Sequence, residues 1–146
     1  MKVVLVALAV VCLAACSTSV AAKKHGDYDV TVVSVDRVRE WQDPTNPNMR
    51  YSANPDGIIL LVNIRVRTPN GKISLGETEL KAKDGKTYKS NRESFTTSWP
   101  KEEPQTGEVT LPFIAPAAAE IETLTLESKT TIDIAKLASN AKAAKR

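Results

Sequence analysis

An all-β domain, an antiparallel β-sandwich, is the fold class this sequence predicts, and three observations predict it. Short runs rich in Val, Ile, Thr and Tyr recur along residues 28–135. Turn residues separate them, as in Thr68-Pro69-Asn70-Gly71 and Asp84-Gly85. Between the N-terminal segment and residue 135, helical periodicity of apolar residues is nearly absent. About seven such strands with turn signals between them are the pattern of a sandwich. A length of 146 residues allows one domain of this kind with short additions at each end. The formal net charge of +3 is too slight for a dedicated nucleic-acid binder.

The first element is no part of that domain. Met1-Lys2 precedes an uninterrupted apolar run over residues 3–15. As a helix this run would span about 20 Å at ~1.5 Å per residue, short of the ~30 Å hydrocarbon core of a bilayer. A charged start, a short apolar stretch and small residues at its end describe a secretory signal peptide, here 1–15. Its end, Leu13-Ala14-Ala15-Cys16-Ser17, resembles a bacterial lipobox. That resemblance implies that Cys16 is acylated and becomes the N-terminus, holding the protein on the extracytoplasmic face of the cell membrane or the outer membrane. Cys12 would leave with the signal peptide, so the domain is expected to fold without a disulfide. Residues 16–27 are small, polar and charged, and read as a lipidated tether in which His25 is solvated.

Residues 28–37 alternate as a strand, and the alternation changes phase at Val32-Val33, which predicts a bulge. Residues 43–57 contain three Pro and three Asn and read as a long loop, the kind of connection that is often functional or mobile. Residues 57–68 form the clearest strand. Ile58, Leu60, Val62, Ile64 and Val66 share one face. The other begins apolar with Ile59 and Leu61 and turns polar at Asn63, Arg65 and Arg67, so it is expected to be covered only at its start. A strand over 77–83 places Leu80 and Ala82 inward, and Asp84-Gly85 turns it back through residues 87–89. The stretch 92–105, with Trp99-Pro100 and Pro104, reads as a loop. Residues 108–114 form a strand with Val109, Leu111 and Phe113 inward, and Pro112 marks an edge with no backbone partner at that point. Residues 116–120 read as a helical turn, 121–127 and 130–134 as closing strands, and 136–146 as a basic flexible tail without an apolar stripe.

Gly57 to Arg67, the hairpin through Glu79, Leu80, Asp84, Gly85 and Tyr88, and the strand with Gly107, Leu111, Phe113 and Pro116 together resemble the bacterial domain family DUF4352. That family is grouped with telokin-like, MPT63-like secreted proteins. The resemblance implies an immunoglobulin-like sandwich displayed on an envelope lipoprotein, and it transfers no catalytic residue and no cofactor.

The residues themselves point the same way. A Ser-His-Asp triad would need His25 to fold back from the tether. One His and no Cys beyond position 16 leave a zinc site short of ligands. Asp27, Asp29, Asp43, Asp56 and Asp84 are oxygen donors without the spacing of a calcium loop, so no metal is expected. Arg65, Arg67, Lys81 and Lys83 could form one basic sheet face, with Glu77 and Glu79 neutralising it. Trp41, Tyr51 and Trp99 lie in or beside loops, where aromatic residues serve as binding anchors. The expectation is therefore a monomeric, non-enzymatic binding module of the cell envelope. Its contacts would be membrane lipid through acylated Cys16 and a protein or wall-polymer partner. The alternative is a structural or regulatory envelope protein acting on a membrane protein, as a phage-encoded exclusion lipoprotein would.

Overall fold

The computed structural model describes residues 21–69, 72–90, 95–98 and 105–141. Twelve strands are described: β1 (Ala21–His25), β2 (Tyr28–Val38), β3 (Glu40–Gln42), β4 (Arg50–Ser52), β5 (Gly57–Thr68), β6 (Lys72–Gly76), β7 (Thr78–Ala82), β8 (Thr87–Lys89), β9 (Phe95–Ser98), β10 (Gln105–Pro116), β11 (Ile121–Leu126) and β12 (Thr130–Asp133). A short helix, α1 (Ala135–Ser139), follows them. One four-stranded sheet runs β1-β2-β5-β10 and the other β12-β11-β7-β8, every pairing antiparallel. Two ribbons, β3–β4 and β6–β9, accompany them. The fold is an antiparallel β-sandwich.

β5 sits at the centre of the first sheet because it is apolar on one face throughout. Val62 stands opposite Val35 of β2 and Leu111 of β10, while Leu60 stands opposite Phe113. Leu60, Val62, Ile64, Val66, Leu111 and Phe113 are buried against Leu80, Leu124, Leu126 and Ile132 of the second sheet. Each such side chain stabilises the fold by about 1.5–3 kcal/mol through area removed from water. The register of β2 on β5 shifts between Val32 and Ser34. Val33 is left 42% exposed, while Val30, Val32 and Val35 all remain inward. The phase change in the sequence is thus a bulge that keeps both halves of β2 on the core.

Five stretches differ from the sequence reading. The sandwich begins at Ala21, inside the segment 16–27 read as a tether, because β1 pairs along β2 from Ala21↔Val32 to His25↔Tyr28. His25 is 5% exposed rather than solvated. Its Nδ1 shares a 2.7 Å hydrogen bond with Thr130 Oγ1, and its Nε2 lies 3.6 Å from the Glu127 carboxylate. With Lys23 Nζ donating to the Thr131 carbonyl at 2.8 Å, these contacts close one side of the sandwich. On the other side Ser90 bridges Phe113, and its hydroxyl donates to the carbonyl of Pro112 at 3.2 Å. The stretch 92–105 contains β9, which pairs with β6. The stretch 43–57 contains β4, paired with β3. Residues 117–120 make a turn, with Ala119 N–H donating to Pro116, instead of a helix. The tail begins as α1, anchored because Ile134 and Ala138, one turn apart, are both buried. Cys16, Trp99 and residues 142–146 lie outside the described residues.

Candidate functional site

β3 and β4 fold back over the outer face of the first sheet where that face is apolar. Tyr51, 9% exposed, packs on Ile59 and Leu61, with Val38, Trp41, Met49, Ala53 and Ile114 around them. Trp41 and Tyr51 are cross-strand partners with ring centroids 5.5 Å apart and a 30° tilt. Such ring pairs contribute about 0.5–1.5 kcal/mol beyond their burial. Tyr51 therefore does not offer itself to a partner. Its ring lies beside Trp41 on the same face of the ribbon, and Trp41 is the half-exposed member of the pair. Burial raises the Tyr51 phenol above its ordinary pKa, and its hydroxyl has no hydrogen-bond partner among the described residues.

The turn after Trp41 is ordered by its own polar groups. Asp43, 1% exposed, accepts at Oδ1 from Thr45 N–H at 2.8 Å and from the Thr45 hydroxyl at 2.7 Å. Its own N–H donates to the Met49 carbonyl at 3.0 Å, and Gln42 Nε2 donates to the Pro47 carbonyl at 2.8 Å. Arg39 donates to the carbonyls of Asn54 and Pro55, tying the ribbon down at its base. The segment read as a long loop is thus a ribbon with a knitted tip.

Trp41, Asp43, Pro44 and Thr45 face Glu108, Val109 and Thr110 of β10 across a cleft of about 120 Å³. Beside it the sheet carries a polar rung. Asn63 Nδ2 donates to Ser34 Oγ at 2.9 Å and to Asp36 Oδ2 at 2.7 Å, and Asn63 accepts from Thr110 Oγ1 at 2.7 Å. Next comes Arg65, paired with Glu108 at 2.8 Å. The outer face thus grades from apolar to neutral-polar to charged, and Trp41 stands at the first boundary. A surface of that kind can hold an aromatic or sugar-like group against Trp41 while its polar edge meets the Glu108 rung.

Arg65 and Arg67 do not share a face with Lys81 and Lys83, because β5 and β7 belong to opposite sheets. The charges are paired locally instead: Lys83 with Glu120 at 2.6 Å, and Lys89 with Glu77. Among the described residues, no group of three His, Cys, Asp or Glu is placed to hold a metal ion. Sequence reasoning missed Glu108 and Thr110, which pair with residues more than forty positions away. Asp43-Pro44-Thr45, by contrast, carries the side-chain turn signal of an Asp two residues before a hydroxyl.

No family model matches the chain, and no curated protein matches it. Among solved structures it is similar to an uncharacterized β-sandwich protein from Clostridium difficile 630. The identity is 11% and the TM-score 0.48, over 76% of this chain and 85% of that one.

Proposed function

We propose that this chain is a lipid-anchored, non-enzymatic binding module displayed on the extracytoplasmic face of a bacterial membrane, with the β3–β4 ribbon as its contact surface. Trp41 carries the reading. It is an aromatic held half-exposed on a buried Tyr51–Ile59–Leu61 base, beside a polar rung that can orient a bound group. A rigid aromatic of this kind buries a large area at low entropy cost, and the knitted Asp43 turn lowers the ordering penalty further. The partner is a protein or wall polymer of the envelope. The Leu13–Cys16 motif supports the anchor, and two acyl chains on Cys16 would hold the module stably where one gives only marginal binding. The hairpin motif through Asp84-Gly85 and the strand motif ending at Pro116 support kinship with the DUF4352 domains.

Two variants test the two halves separately. Cys16→Ser should move the protein from the membrane to the soluble fraction; unchanged membrane retention removes the lipid anchor. Trp41→Ala should weaken capture of the envelope partner tenfold or more, about 1.4 kcal/mol. Undiminished capture removes the ribbon as the contact surface.

A further inference from the structure

A second concavity opens between the sheets at the end where α1 packs, and its chemistry differs from the Trp41 cleft. Its volume is about 440 Å³, within the ~300–1,000 Å³ range of small-molecule sites. Leu60, Ile121, Ala119 and Ala138 supply an apolar lining. Arg37, Lys83, Lys136 and Glu120 supply the charge. Three cations against one carboxylate leave the cavity doubly positive.

The pairing within this set decides where an anion would sit. Lys83 and Glu120 are 2.6 Å apart. Their hydrogen bond raises the Lys83 pKa and lowers that of Glu120, with Glu122 adding to the effect on Lys83. Lys83 is therefore satisfied by acids of its own surface. Arg37 donates to the Ala117 carbonyl, a neutral acceptor that fixes the side chain, and it makes no ion pair among the described residues. Lys136, exposed on the last turn of α1, makes no ion pair among the described residues. Two such cations over an apolar lining form a site with a charged mouth and a greasy interior.

We propose that this cavity binds a small amphiphilic carboxylate, a monoanion with a single short alkyl chain, its head group between Arg37 and Lys136 and its chain against Leu60, Ile121 and Ala138. Charge complementarity selects an anion over an alcohol or amine of equal length. Size selects a single chain. At the ~30 Å³ that one water occupies, the cavity holds about fifteen water-sized groups, fewer than a two-chain lipid carries. The proposal stands on the cavity alone and is independent of the Trp41 surface and of the anchor.

The test uses the full chain in phosphatidylcholine nanodiscs, with empty nanodiscs as the baseline. Octanoate labelled at its carboxyl carbon is titrated and followed by the carbon resonance. Octanoate should give a saturable shift above the baseline, with at least tenfold higher affinity than octanol or octylamine read by competition. Lys136→Glu should weaken octanoate at least tenfold and bring octylamine above it, while Lys136→Arg retains octanoate binding. Because Lys136 is exposed, these variants leave the core intact, and an unchanged melting temperature verifies it. No saturable shift, equal competition by octanol, or octanoate affinity unmoved by Lys136→Glu would overturn the assignment.

Discussion

Tyr51 shows how one side chain sets the character of the candidate surface. Its ring supports Trp41, yet its buried hydroxyl has no partner among the described residues. A buried polar group without a hydrogen bond costs about 1–3 kcal/mol. Tyr51→Phe should therefore leave stability unchanged or raise it, by up to about 1 kcal/mol, as read by denaturant unfolding. A loss of stability would mean that the hydroxyl is bonded. Burial also raises the pKa of this phenol, so the folded form holds its proton above the ordinary value. The contribution is fully present below the ordinary phenol pKa and is lost as the pH rises through the folded one. The ultraviolet titration step that disappears in Tyr51→Phe should lie above the ordinary phenol pKa, and a step at the ordinary value would contradict the burial of Tyr51. The aromatic character of positions 41 and 51 was legible in the sequence, but their division of labour was not. Which of two cross-strand rings is covered more deeply depends on how the ribbon folds over Ile59 and Leu61, and local alternation carries no such information.

Among the elements, those with strong alternation were legible and those recruited by tertiary contacts were not. β5 needed only its own pattern, and the bulge in β2 followed from a phase change. β1 has neither β-branched nor large aliphatic residues, and it is a strand because β2 and β12 offer it partners on both sides. α1 holds through two buried residues one turn apart, too few to stand out as a stripe. The β11–β12 turn is a third case. Glu127 and Ser128 both take positive φ, at 51° and 55°, which hairpins usually assign to Asn or Gly. A non-glycine residue there costs roughly 1–2 kcal/mol, partly offset in glycine by its larger entropy loss. Ser128→Gly should raise stability by about 0.5–1 kcal/mol in thermal unfolding, and a decrease would show that the serine contributes more than its backbone strain. Gly76, at φ +59°, is the opposite position, because a Cβ there would run into the Glu127 side chain. Gly76→Ala should destabilise both β6 and the β11–β12 turn, seen as faster amide exchange at Glu127, whose N–H bonds to the Glu77 carbonyl. Unchanged exchange would mean that the turn moves aside freely.

The whole molecule is a sandwich whose core lies between Val30 and Ala138 and owes nothing to disulfides, since both cysteines precede it. Phe113 is fully buried at its centre. Phe113→Ala should cost about 3–5 kcal/mol, and wild-type unfolding should be indifferent to reductant. A loss under about 1 kcal/mol would mean that β10 presents its other face to the core. The layering and the inward face of β10 could be read from alternation, because burial on one side imposes a period of two. The cleft beside Trp41 could not, since it joins a ribbon at residues 41–45 to a strand at 108–110 that only the folded chain brings together. The proposal that this chain is a tethered module contacting its partner through the ribbon rests on that cleft and the lipobox, and a photo-crosslinking amino acid at position 41 in intact cells tests it most directly. A discrete adduct with one envelope component is predicted from position 41, with none from Thr31 on the same outer face beyond the ribbon. No adduct from position 41, or the same adducts from both positions, would contradict it.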